Sequence, residues 1–210
     1  MLYVVDNFLK DPYAVRNTAL KCTYGCVSPR YPGIRSDDVP RHVSDYILKE
    51  MSYLVKRPLG LANSSFQYVG KEFGDGIYHY DDDYQMGKGI QYSCFIYLTP
   101  EPPANSGTEV CDVQSRKEFN QCINSNEYFN AKEKFHLNPK NLVNRYRYSK
   151  VKRKVASLCT PMAIIPNKFN RLVIFDAYLN HRAQNFFGSS IENGRLTLVS
   201  FLSGEHTIRG

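Results

Sequence analysis

Ile90-Gln91-Tyr92-Ser93-Cys94-Phe95-Ile96-Tyr97-Leu98 is the stretch on which the fold turns. It is rich in β-branched and aromatic residues and is closed by Thr99-Pro100 and a proline-rich loop to Pro103, which makes it a strong strand. Upstream, from Ser65, the apolar period is two: Phe66, Tyr68 and Gly70 alternate with Gln67 and Val69. After a Gly74-Asp75-Gly76 turn, Tyr78 to Tyr80 continues extended. Downstream, Ser106-Gly107-Thr108-Glu109-Val110 resumes as a short strand behind a glycine turn. Further strands are expected at Met162–Ile165, Leu172–Phe175, His181–Phe186 and Arg195–Leu202. Turn signals at Pro166-Asn167, Asn170 and Asn193-Gly194 separate them. Short strands at this spacing argue a β-sandwich or barrel.

The flanks read differently. Leu2-Tyr3-Val4-Val5 is a strand, and Asp11-Pro12 is an acceptor cap with proline at the first helical position, opening a helix that reaches Cys22. Tyr31-Pro32-Gly33-Ile34-Arg35-Ser36 is turn-rich and is expected to hold no regular structure. A second helix is expected over about 41–55, where Tyr46, Ile47, Met51 and Leu54 recur at helical spacing. Residues from about 116 to 154 are polar, rich in Asn, Lys and Arg, and dotted with aromatics, which suggests helix and loop inserted between strands. The expectation is one domain over 1–210: a strand and helices over 1–64, a β core over 65–110 and 160–203, and an insert over about 111–159.

Composition sets outer limits. The chain has 210 residues, 42% hydrophobic and 22% charged, enough to bury a core. No run of 18 apolar residues exists, so no membrane partner is expected. Residues 1–8 carry Asp6 and lack the basic-then-apolar order of a secretory signal, which argues a cytoplasmic protein. The six cysteines are scattered and are read as reduced thiols, and Cys22 and Cys26 lack the partners of a zinc site.

Tyr78-His79-Tyr80-Asp81-Asp82-Asp83 carries the chemistry. On an extended backbone His79 and Asp81 share a face. His181 begins a strand just after the apolar run Leu172–Phe175 and a turn. Two histidines and one carboxylate form the facial set that leaves three positions open on Fe(II), room for a bidentate cosubstrate and dioxygen. Asp82 and Asp83 are read as solvated loop acids. A 2-oxoacid with a distal carboxylate needs a fixed cation, and Arg195, at the head of the next strand, can grip one with two parallel hydrogen bonds. Thr197 shares that face. Singly, each of these residues is an ordinary surface or packing group. Arg35 is read as a surface salt-bridge residue, and His42, His136 and His206 as structural.

Taken together, His79-x-Asp81, His181 and Arg195 resemble the 2-oxoglutarate- and Fe(II)-dependent oxygenases, most closely their prolyl 4-hydroxylase-like branch. Tyr97-Leu98 followed by Ser106-Gly107-Thr108 is similar to that branch, as is Asn170–Asp176 with His181-Arg182 and Gly194-Arg195-Leu196-Thr197. Val5–Leu9, Asp11-Pro12 and Tyr31–Ser36 look like small oxygenases of this type, some phage-encoded, which would place the protein in a host-cell cytoplasm. The resemblance covers 1–110 and 160–203. It implies a mainly β, α+β fold: a double-stranded β-helix of jelly-roll or cupin type with an N-terminal helical layer and a polar basic insert. His79, Asp81 and His181 would hold Fe(II), Arg195 would pair with the C5 carboxylate of 2-oxoglutarate, and Thr197 would assist. Tyr92, rather than Tyr97, is the tyrosine expected to help bind the cosubstrate. The activity implied is hydroxylation of a C–H bond by O2, coupled to decarboxylation of 2-oxoglutarate to succinate and CO2, with ascorbate as a possible helper. The substrate is not identified; peptidyl proline, a nucleobase and small molecules all stand open.

The formal charge of +7 is concentrated, with six of the ten residues from Arg145 to Lys154 being Lys or Arg. Tyrosines interleave with these cations, a mixture that suits phosphate contacts and base stacking. The competing expectation is therefore a nucleic-acid-binding protein using 145–154 on a non-catalytic barrel. The bland reading of the same run is a solvated helical face.

Overall fold

The computed structural model of the chain describes residues 1–37, 39–81 and 89–204. Asp82, Asp83 and His206 lie outside them. Among the described residues, nine strands form two sheets. They are β1 (Leu2–Val5), β2 (Ile34–Arg35), β3 (Leu59–Val69), β4 (Ile90–Tyr97), β5 (Thr108–Val113), β6 (Cys159–Ile165), β7 (Leu172–Asp176), β8 (His181–Ala183) and β9 (Arg195–Gly204). The larger sheet runs β1-β7-β4-β9-β3-β2 and the smaller β6-β5-β8. All the pairings are antiparallel. The two sheets enclose one cavity, to which Thr197 and Phe175 of the larger and Thr108 and His181 of the smaller all contribute. This is the double-stranded β-helix.

Parity organises the larger sheet. Even-numbered Phe66, Tyr92, Cys94, Ile96, Leu172, Ile174, Leu196, Leu198 and Leu202 form one core with α1 (Pro12–Lys21) and α2 (Arg41–Leu54). Odd-numbered Ser65, Gln67, Ser93, Phe95, Phe175, Arg195, Thr197 and Phe201 line the cavity. The pleat's period of two enforces this division across register-matched neighbours. Phe66 opposes Leu198 and Gln67 opposes Thr197; Ile96 opposes Leu198 and Tyr97 opposes Thr197.

The first helix is capped as expected, with Ala14 N–H donating to Asp11 Oδ1 at 2.9 Å. Three expectations need correction. The segment 31–36 is not wholly irregular, because Ile34 and Arg35 pair with Tyr68 and Gln67 as an edge strand. Gly33 makes that pairing possible: its φ is +73°, and a Cβ there would sit 2.0 Å from the Tyr68 carbonyl oxygen. Strand β3 begins at Leu59, six residues before its alternation becomes readable. Strand β8 stops at Ala183 rather than Phe186.

The polar segment folds as three helices, α3 (Arg116–Ile123), α4 (Asn126–Leu137) and α5 (Leu142–Ala156), capped by Ser115, Ser125 and Asn141. Strands β5 and β6 extend further than the sequence suggested, and Val113 pairs directly with Cys159. The helices thus leave and re-enter the smaller sheet at adjacent points of one hairpin. Phe119, Tyr128, Phe135, Tyr148 and Val155 pack with Val69, Phe73, Ile77 and Tyr78 into a second core.

Candidate metal centre and cosubstrate cavity

His79 and His181 face one another across an isolated antiparallel bridge. Each donates its peptide N–H to the other's carbonyl, at 3.0 and 2.8 Å. Asp81 N–H donates to the Ala177 carbonyl at 2.9 Å. Main-chain bonds from three segments therefore place the three side chains. Nδ1 of His79 lies 2.9 Å from the Ile77 carbonyl, and Nδ1 of His181 lies 2.9 Å from the Leu179 carbonyl. A carbonyl only accepts, so both Nδ1 atoms carry the proton and both Nε2 lone pairs are free. Those lone pairs aim at one carboxylate: each Nε2 is 3.8 Å from an Asp81 oxygen.

The donor set fits a transition metal. The ligand atoms of His79, Asp81 and His181 all lie within 4.8 Å of one another. Two bonds of about 2.1 Å to a common ion allow ligand separations up to roughly 4.2 Å. The 3.8 Å contacts to Asp81 meet that limit. Protonation favours binding as well. Burial pushes His79 down to about 4, helped by the neighbouring His181. Burial works against the Asp81 carboxylate, but His181 and His79 together hold its pKa below the ordinary value. Neutral imidazoles and an ionised carboxylate are the forms a divalent ion binds. The carbonyl partners of both Nδ1–H groups are the outer support that such ligands need.

A second clamp steadies both histidines. Glu109 is buried and accepts from Arg182 Nη2 at 2.7 Å and Nε at 3.0 Å. Its other oxygen accepts from the Tyr78 hydroxyl at 2.6 Å, and the Arg182 guanidinium lies 4.6 Å from the Tyr78 ring. Tyr78 and Arg182 are the chain neighbours of the two histidines, so one buried carboxylate ties both ligand segments to β5.

Arg195 stands deeper in the same cavity. It is buried, its guanidinium is 5.1 Å from the Tyr97 ring and 5.7 Å from the Phe186 ring, and it donates to the Ser106 and Gly107 carbonyls and to Thr108 Oγ1 at 3.3 Å. Thr197, two residues on, shares its face. Tyr97 donates to or accepts from Thr108 Oγ1 at 2.9 Å. The cavity has a volume of about 560 Å³, in the range of small-molecule sites.

The choice of Tyr92 is corrected. As an even-numbered residue it points into the helical layer, where its ring lies 4.8 Å from the Arg57 guanidinium and its hydroxyl accepts from Arg57. Tyr97 has the opposite parity and sits beside Arg195. Ser93 is the polar signal on the inward face of β4, and Tyr97 shares its parity while Tyr92 does not. Arg35 is also corrected. It lines the cavity instead of making a surface salt bridge. His136, Lys132 and Phe129 of α4 reach the same cavity, which no periodicity in the insert signalled.

The basic run forms most of α5. Tyr148 is buried and stacks on Phe135 with centroids 4.2 Å apart. Lys152 pairs with Asp75, and Lys150 and Lys154 with Glu127. No helix of the described residues is long and apolar enough to cross a membrane.

No family model matches the chain, and no curated protein is detectably similar to it in sequence. Solved structures do share its fold. HygX from Streptomyces hygroscopicus, with nickel and 2-oxoglutarate bound, superposes with a TM-score of 0.59 at 13% identity, over 98% of this chain and 83% of that one. A Pseudomonas putida prolyl-4-hydroxylase matches at 0.55 and 12% identity, over 97% and 92%. The α-ketoglutarate-dependent carbocyclase SnoK of nogalamycin biosynthesis matches at 0.53 and 11%, over 96% and 79%. The fold is that of the 2-oxoglutarate/Fe(II) oxygenases.

Proposed function

We propose that the protein is a 2-oxoglutarate- and Fe(II)-dependent oxygenase that hydroxylates a C–H bond. The observation that carries this reading is the convergence of two Nε2 lone pairs and the Asp81 carboxylate at one point, with a buried guanidinium deeper in the same cavity. Likeness to HygX and the prolyl-4-hydroxylase supports it, since their fold serves such cosubstrates.

His79, Asp81 and His181 would hold Fe(II), which supplies activation of O2. Arg195 would grip the distal carboxylate of 2-oxoglutarate, and Thr197 would add a hydrogen bond. One O2 then gives one oxygen atom to the substrate hydroxyl and one to succinate, with release of CO2. Phe175 and Phe95 would give the reacting centre apolar walls. Ascorbate would serve to keep the iron reduced.

The test is direct. Anaerobically purified protein is titrated with Fe(II) and 2-oxoglutarate, then given O2, and succinate is measured. Succinate should form only with both additions and should vanish in His79→Ala and His181→Ala. Protein that binds neither the metal nor the cosubstrate would sink the proposal. A nucleic-acid-binding role for α5 draws less support, because three of its cations are paired and one of its tyrosines is buried.

A further inference from the structure

We propose that Arg35 and Lys132 form an oxyanion subsite in the wall of the cavity, so that the substrate is a small molecule bearing a carboxylate or phosphate. The inference rests on the oxygenase reading and names the class of molecule that site accepts.

Arg35 is fixed as a recognition group would be. Pairing with Gln67 sets its backbone, and its guanidinium lies 4.1 Å from the Tyr31 ring and 5.6 Å from the Phe201 ring. Its one side-chain hydrogen bond to a described residue is a long one, from Nη2 to Gln67 Oε1 at 3.4 Å. Nε is buried without a partner. Leaving a buried charged donor unmet is costly, and such a donor in a cavity wall awaits an acceptor. Lys132 reaches the same cavity from α4, its Nζ 5.7 Å from the Tyr128 ring. Among the described residues neither cation has a carboxylate within ion-pair distance. Burial lowers the pKa of Lys132, with Asp81 pulling the other way, as expected of an ammonium that lacks a close counterion.

Charge balance decides the sign of the ligand. A metal dication, the Asp81 carboxylate, the Arg195 guanidinium and a 2-oxoglutarate dianion cancel. Among the described residues, Asp81 is the one carboxylate that acts on both Arg35 and Lys132, and it belongs to that balanced set. Among the described residues two cations remain in the cavity wall, beside Tyr31, Phe201 and Phe129. A planar fork stacked on a ring suits a carboxylate or a phosphate oxygen pair.

Calorimetry on the protein saturated with Ni(II) and 2-oxoglutarate, where no turnover occurs, tests this. The probes are benzoate, phenyl phosphate, neutral benzamide and a single-stranded oligonucleotide, and each is repeated on metal-free protein. Benzoate or phenyl phosphate should bind at least 10-fold more tightly than benzamide, and the better of the two identifies the oxyanion. Arg35→Gln and Lys132→Gln should each weaken that probe at least 10-fold, Arg35→Lys should recover part of the loss, and thermal melting should show all three folded. Equal binding of benzamide, binding of no oxyanion, or oligonucleotide binding indifferent to both substitutions overturns the proposal. So does an Arg35→Gln protein whose affinity for 2-oxoglutarate falls as far as that of Arg195→Gln, since Arg35 would then grip the cosubstrate. Failure of wild-type protein to bind metal and 2-oxoglutarate is a separate result that removes the oxygenase reading, while the metal-free titrations still report on the subsite.

Discussion

Individual side chains here act through shape as much as charge. Arg195→Lys keeps the charge but loses the planar fork, and calorimetry should show 2-oxoglutarate binding weakened by about tenfold or more. His136 gives a prediction of a different kind. Burial pushes it down to about 3, with Lys132 adding to the shift, whereas the unfolded side chain titrates near 6.5. As pH falls below about 6.5 the unfolded chain takes up a proton that the folded one refuses. The stability contribution is therefore complete above that pH and is lost toward 3, at up to about 1.4 kcal/mol per pH unit. Urea midpoints of metal-free protein between pH 6.5 and 4.5 should fall less steeply in His136→Gln. The grouping of His79, Asp81 and His181 was legible from the two-residue spacing of the first pair on extended backbone and from His181 opening β8. Arg35 was not, because a single arginine in a proline-glycine turn has no period to read.

Among the elements, the β5–β8 pair holds most of what the site depends on. Removing Glu109 leaves the partly buried Arg182 without its anion and frees Tyr78, so the cost for a fully buried pair is an upper bound here. Breaking a buried pair from one side costs about 3–5 kcal/mol. Glu109→Ala should therefore melt well below wild type, and the double variant with Arg182→Met should recover much of the loss, because an apolar replacement leaves no stranded charge. Metal affinity, measured alongside, should fall in the single variant, since both histidines neighbour this clamp. Strand existence was readable wherever a β-branched or aromatic run was bounded by turn signals. It failed at Leu59–Ser64, whose neighbours in space are the last residues of β9, and at β2, where two residues pair only because Gly33 lets the backbone approach Tyr68. Neither effect is local to the segment concerned.

For the whole molecule, ligand binding and stability are one quantity seen twice. A metal bound by the folded chain alone at 100 times its Kd adds about 2.7 kcal/mol. In a chain of this size that should raise Tm by about 5–11 °C. Scanning calorimetry with Mn(II) or Ni(II), reversed by a chelator and absent in His181→Ala, checks it. A β-sandwich or barrel was within reach of the sequence because its strands come in short, evenly punctuated runs, while the double-stranded β-helix was implied by the family resemblance. The helical side of the cavity was not within reach, since no periodicity in the insert marks Phe129, Lys132 and His136 as lining it. This difference in origin has an evolutionary meaning. The metal set and Arg195 belong to the sheets and the chain that joins them, while Phe129, Lys132 and His136 arrive on helices hung between Val113 and Cys159, two residues already paired. Because the ends of that excursion are held together without it, its length and content can drift at little entropic cost. A new set of helices would present the same oxidising centre to a different molecule, so the hairpin is the hinge on which specificity can be exchanged while the chemistry stays put.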